Sequence, residues 1–158
     1  MKELNIRNSA ELLQVRSDTE IPYDWSIGYF GSKFLIELRD NKRLLGIRCP
    51  ECRKVYTPPR KVCGPCFVEM QEMVEVGPGG ILEAYSVVNY EFIDPNTGKT
   101  RPIPYIYAYI KLDGADNTFC HIVECSDVSL LTVGARVTAI FCDNRSGFPW
   151  DIKHFKVM

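Results

Sequence analysis

The sequence predicts a mainly β protein that opens with short α-helices, continues into a small metal-held ribbon and ends in a five-stranded barrel. Three observations carry that prediction. Two C-x-x-C pairs, Cys49/Cys52 and Cys63/Cys66, flank a ten-residue loop. Upstream of them, Phe30, Phe34, Leu35 and Leu38 recur at helical spacing. From Gly80 onward the apolar period switches to that of strands, with turn residues between the runs.

Two residues between cysteines let one tight turn aim both thiolates at one metal, and two such knuckles complete a tetrahedral S4 site. The loop from Arg53 to Val62 is long enough for two short strands and a turn, the build of a rubredoxin-like zinc ribbon. A thioredoxin-like redox motif needs a helix, which Pro50, Pro58, Pro59 and Pro65 exclude. Structural disulfides belong to small secreted proteins, and nothing in this sequence looks secreted. Zinc is the expected ion at Cys49, Cys52, Cys63 and Cys66, with iron also chemically allowed by an S4 donor set. Protein sulfur fills every position, so the expected metal is structural rather than catalytic.

The 158 residues are 46% hydrophobic and 25% charged, with a formal net charge of −1, the balance of a globular protein without general attraction to nucleic acid or anionic membrane. No apolar run approaches the ~20 residues that cross a bilayer. The start, M-K-E-L-N-I-R-N-S-A, lacks the apolar core of a signal peptide, so the expected location is the cytoplasm. Cys120, Cys125 and Cys142 lie outside the ribbon and read as reduced thiols buried in apolar strands.

In chain order, residues 9–15 form a weak helix with Ser9 as its cap, and a better signalled helix runs from Ser26 or Ser32 to Asp40. Both are too short to stand alone, so their apolar faces must dock on the chain itself or on a partner. Leu44–Ile47 leads into a basic ribbon, where Lys42, Arg43, Arg48, Arg53, Lys54, Arg60 and Lys61 face one acid, Glu51. An acidic stretch follows, and then G-P-G-G at 77–80. The expected division is a helical arm at 1–43, a ribbon at 44–76 and a barrel at 77–158.

The barrel strands are expected at 81–93, 103–112, 118–124, 135–142 and 152–157, with turns at D-P-N-T-G, D-G and N-R-S-G-F-P. A long first strand and no helical pattern between strands indicate an OB-type Greek-key barrel. In the second strand Ile106, Ala108, Ile110 and Leu112 alternate with Tyr105, Tyr107 and Tyr109. The aliphatic row is core. The tyrosine row is either a stacking platform for single-stranded nucleic acid or a face covered by the N-terminal helices or a protein partner. Acids outnumber bases beyond Gly80, which disfavours a phosphate backbone and favours the covered face. His121 and His154 have no motif that pairs them with a nucleophile, and no phosphate-binding glycine loop is present, so no enzyme activity is expected. Each histidine reads as satisfied or exposed.

The run W-S-I-G-Y-F-G-S-K-F-L at 25–35, then G-I-R-C-P-E-C, P-P-R at 58–60 and C-G-P-C, followed by five strands, resembles the acyl-CoA-associated zinc-ribbon/OB-fold family, formerly a domain of unknown function. The resemblance spans nearly the whole chain. It implies a non-catalytic companion of thiolase-superfamily enzymes, in some members bridging an acetoacetyl-CoA thiolase and a hydroxymethylglutaryl-CoA synthase. It carries the metal ligands onto Cys49, Cys52, Cys63 and Cys66, and the chain departs from many such knuckles by placing Arg53 and Phe67 where glycine is common. With coenzyme A or an acyl-CoA as the implied ligand, Lys99, Arg101 and Arg60 are the expected phosphate contacts. Phe30, Tyr105, Tyr107 and Tyr109 are the expected partner surface.

Overall fold

The computed structural model describes residues 26–93, 98, 100–125 and 127–158. The expected helix at 9–15, the turn residues 94–97 and Lys99 lie outside them.

Helix α1, Gly28–Asn41, buries Phe34 and Leu38 and half-buries Phe30 and Leu35, the stripe that the spacing predicts. It stops where Lys42 turns into the left-handed conformation (φ 55°) and donates its N–H to the Glu37 carbonyl. The Arg145 guanidinium, from the far end of the barrel, donates to the Arg39 carbonyl at 2.7 Å and so satisfies a second helix-end acceptor. The helix docks on the first ribbon strand and on the turn Pro149–Asp151.

The ribbon sheet has the order β2–β1–β3, all antiparallel, with β1 Leu44–Arg48, β2 Val55–Tyr56 and β3 Glu72–Val76. The acidic stretch after the last knuckle is therefore a ribbon strand. Its carboxylates meet the ribbon's bases: Glu72 lies 3.1 Å from Arg48 and 3.6 Å from Arg53, Glu69 2.9 Å from Lys61, and Glu75 3.7 Å from Arg43. The expectation of a basic face opposed by Glu51 alone is thus corrected, because sequence-distant acids fold back onto it.

The barrel closes in the order β4–β5–β6–β8–β7, with β4 Gly79–Val88, β5 Tyr105–Leu112, β6 Thr118–Glu124, β7 Arg136–Phe141 and β8 Ile152–Val157. Four of its junctions are antiparallel, and β6 meets β8 in parallel at Val123 and Glu124. This is the Greek-key closure of an OB-fold. Gly80 explains part of the G-P-G-G run: a Cβ there would fall 2.6 Å from the Lys111 carbonyl oxygen, so the β4–β5 crossing admits only glycine. β4 ends at Val88, short of the expected 93, and β5 begins after Pro104, since Pro102 and Pro104 bring no N–H to a ladder.

Ribbon and barrel share one interior. Leu44, Val55 and Val76 of the ribbon sheet lie in the same buried cluster as Leu82, Ile110, Leu112 and Phe155 of the barrel, with Phe34 and Leu38 of α1. The seam is also hydrogen-bonded. The Asn117 side chain accepts from Thr57 N–H at 2.8 Å and donates to its carbonyl at 2.7 Å, and Asp116 accepts the Val55 N–H at 2.8 Å. Asn117 thereby supplies the two bonds that a neighbouring strand would have made to β2. The three non-ribbon cysteines are half-buried rather than core. Cys120 faces outward from β6, and the Cys125 and Cys142 thiols donate to the carbonyls of Asp127 and Trp150 just past strand ends.

Candidate metal centre and docking surface

The four ribbon cysteines converge: their sulfur atoms all lie within 4.8 Å of one another. Each knuckle is closed by a backbone bond, Arg53 N–H to the Cys49 carbonyl at 3.1 Å and Phe67 N–H to the Cys63 carbonyl at 2.8 Å. Arg53 and Phe67 take positive φ, 62° and 56°, the conformation for which glycine is the easy choice. The departure from glycine alters the residues and not the turn. The Cys52 and Cys63 sulfurs are 3.8 Å apart. That equals the edge of a tetrahedron with metal–sulfur bonds of about 2.3 Å, so the donor set fits a single tetrahedral ion.

Beneath the sulfurs lies a second buried cluster of Ile47, Tyr56 and Met70, with Phe30 packed against it from α1. The Tyr56 hydroxyl stands 3.7 Å from the Cys63 sulfur. Burial works against a Cys63 thiolate, but bonds from the Cys66 backbone and the Tyr56 hydroxyl outweigh it and lower its pKa to about 7. Cys66 moves the other way, to about 12, through its hydrogen bond with Cys52 and through burial. Four sulfurs this close do not all ionise without a cation among them. A divalent ion held by Cys49, Cys52, Cys63 and Cys66 would favour their thiolate forms, so its binding would release protons.

The tyrosine row divides as its alternation predicts. Ile106, Ala108, Ile110 and Leu112 are buried, while Tyr107 is 41% and Tyr109 53% exposed. Tyr105 is half-buried. Helix α1 docks elsewhere, so within the described residues it is not the cover for this face. Phe148 and Trp150, on the loop before β8, are also exposed, and Trp150 shares a cleft wall with Tyr107. This loop is rigidly built: the buried Asp151 carboxylate accepts the N–H groups of Ser146, Gly147 and Phe148 at 2.9, 2.7 and 3.2 Å.

The expected phosphate contacts do not form one group. Arg60 stacks on the Tyr56 ring of the ribbon, 3.9 Å from its centroid. Arg101 lies over both Tyr105 and Trp150, at 5.7 and 5.6 Å, and lines a cleft of about 400 Å³ with Lys153 and His154. His154 is also 3.0 Å from Glu124. Sequence reasoning missed Lys153, His154 and Trp150, which reach Arg101 from a strand and loop some fifty residues away. It also took His121 for a satisfied or exposed histidine. The ring is 3% exposed, and neither nitrogen has a hydrogen-bond partner among the described residues. The signal was present in β6, where alternation sets His121 on the face of Phe119 and Val123.

Two family models match successive stretches of the chain, meeting at the start of β3. Residues 37–71 match the rubredoxin-like zinc ribbon domain of ChsH2, and residues 73–141 match its C-terminal OB-fold domain. A DUF35 domain-containing scaffold protein of Methanocaldococcus jannaschii is 29% identical over 105 residues, which cover 66% of this chain and 71% of that protein. One of Methanothermobacter thermautotrophicus is 29% identical over 100 residues, 62% of this chain and 71% of its own length. A crystal structure of a DUF35-family protein of unknown function from Sulfolobus solfataricus matches with a TM-score of 0.60 and 22% identity, over 83% of this chain and 87% of the other. The Ltp2-ChsH2(DUF35) aldolase matches with a TM-score of 0.58 and 19% identity, over 80% of this chain and 93% of that one. At such identities the two structural matches speak for the fold alone.

Proposed function

Because the chain belongs to the family that joins the ChsH2 zinc ribbon to the ChsH2 OB-fold domain, the family of the DUF35 scaffold proteins, we propose that it is a non-catalytic scaffold subunit that docks on a thiolase-superfamily enzyme through the aromatic face of its barrel. The observation that carries the reading is the exposed run Tyr107, Tyr109 and Trp150 on a rigid sheet and a pinned loop. Aromatic side chains on rigid elements are what the centre of a stable protein interface is made of. Two relatives bear the name scaffold protein, which supports the reading. A hydroxymethylglutaryl-CoA synthase is the second client of the bridging form.

The ion at Cys49, Cys52, Cys63 and Cys66 is zinc in this reading and serves to fold the ribbon, since a closed S4 set leaves no position for substrate. The three thiols outside the ribbon, an odd number, suit a reducing cytoplasm. Coenzyme A or an acyl-CoA meets the chain at Arg101, with Lys153 beside it in the same cleft. Lys99, outside the described residues, and Arg60 complete the cationic set of the proposal. A nucleic-acid module is the poorer reading, because four of the ribbon's seven bases, Arg43, Arg48, Arg53 and Lys61, are already paired with Glu69, Glu72 and Glu75.

Co-expression with the thiolase and the synthase of the same genome, followed by size-exclusion chromatography, tests the proposal. The expected result is co-elution in a fixed ratio, weakened at least about tenfold by Tyr109→Ala, a loss of about 1.4 kcal/mol of binding. Separate elution from both enzymes would overturn it.

A further inference from the structure

We propose that the cleft between the first half of β6 and the Pro149–Trp150 turn binds an uncharged, largely apolar molecule carrying one hydroxyl or carbonyl group, with His121 as its polar anchor. The site shares Tyr107 and Trp150 with the proposed docking surface, but its case rests on His121. β6 meets β8 only at Val123 and Glu124. Upstream of that junction β6 has β5 on one side and a cleft of about 420 Å³ on the other. The volume lies in the range of small-molecule sites. Phe34, Pro58, Tyr107, Phe119, His121 and Trp150 line the cleft, with Thr57 and Asn117 at its ribbon end.

His121 is the feature that packing does not explain. Its ring lies parallel to Phe119 at 6.0 Å and edge-on to Trp150 and Phe155 at 5.5 and 5.8 Å. A phenylalanine would fill that space without burying two polar atoms. Both imidazole nitrogens are instead sealed from water, and the nearby backbone of Pro149 and Ile122 gives neither a well-formed hydrogen bond, an arrangement that buried polar groups seldom tolerate. Burial holds the imidazole pKa below its ordinary value, so the ring is neutral at pH 7 and offers one donor and one acceptor. A neutral hydroxyl or carbonyl matches it, whereas a carboxylate would lose its hydration against apolar walls. Trp150 is the side chain that covers the ring, and it is 44% exposed on a three-residue turn. Access of a ligand to the nitrogens requires the Trp150 indole to rotate.

Calorimetry on the full chain with 2-naphthol, naphthalene and 2-naphthoate as probes tests this, together with long-range proton–nitrogen spectra of the imidazoles. His154→Gln assigns the two histidines. The expected result is that 2-naphthol binds at least tenfold tighter than naphthalene and shifts the His121 nitrogens, and that His121→Phe makes the two probes equal. Should His121→Phe fail to fold, the wild-type ratio and the nitrogen shifts decide alone. Equal binding with unmoved His121 resonances, no saturable binding of either probe, or tighter binding of 2-naphthoate than of 2-naphthol would overturn the site.

Discussion

Arg53 and Phe67 bear the backbone cost of the metal knuckles. A side chain at positive φ is disfavoured by roughly 1–2 kcal/mol, and the chain accepts this twice to bring four sulfurs within 4.8 Å. The ion offsets that cost, because metal-binding energy in so small a module is largely folding energy. Cys63→Ser removes one ligand and the sulfur nearest Tyr56. It should lower metal content per chain, read by elemental analysis, and speed amide exchange across residues 44–70. Full metal content in the variant would contradict the assignment. Asp151 is the corresponding residue in the barrel. Asp151→Ala frees three N–H groups of the 146–148 loop and should cost about 3 kcal/mol. Denaturant titration measures that loss, and a red shift of the tryptophan emission reports the loosened Trp150. Unchanged stability would mean that the carboxylate does not hold the loop.

Among the elements, the ribbon and β5 were legible in the sequence because each is a local pattern. C-x-x-C spacing encodes a knuckle whatever surrounds it, and the alternation of β5 separates a buried aliphatic row from exposed tyrosines. What was not legible depends on distant partners. The pairing of Glu72 and Glu75 with Arg43, Arg48 and Arg53 follows from β3 folding back on β1, a register that no local pattern states. The docking of α1 on β1 and the Pro149–Asp151 turn, rather than on the tyrosines, is likewise a matter of tertiary choice. Asn117 is another such residue. It joins β2 to the barrel by imitating a strand, and nothing in D-N-T announces it. Asn117→Ala leaves both backbone groups of the buried Thr57 without that partner and should cost about 2 kcal/mol. Thermal unfolding should show the loss, with faster exchange at Val55–Thr57. Exchange confined to the 113–118 turn would show that the seam is held by packing alone.

At the scale of the whole molecule, one core runs from α1 through the ribbon sheet into the barrel, so the aromatic face is presented by a single firm body. The change of sheet falls at Gly77–Pro78, where the expected boundary at residue 77 lies, while the buried cluster crosses it. We propose that boundary as a division of sheets, with metal loss felt in the ribbon first. Among the described residues no helix is long and apolar enough to cross a membrane. Among the described residues the tyrosine row with Phe148 and Trp150 stays exposed after the molecule has packed its own elements, as do Tyr29, Phe67, Tyr90 and Phe92. The measurement that bears most directly on the scaffold reading is amide exchange on the chain free and in complex with its thiolase-type enzyme. The account predicts slowed exchange in β5 at Tyr105–Lys111 and in the 148–150 loop on complex formation. Protection confined to the ribbon, with β5 exchanging as in the free chain, would contradict it.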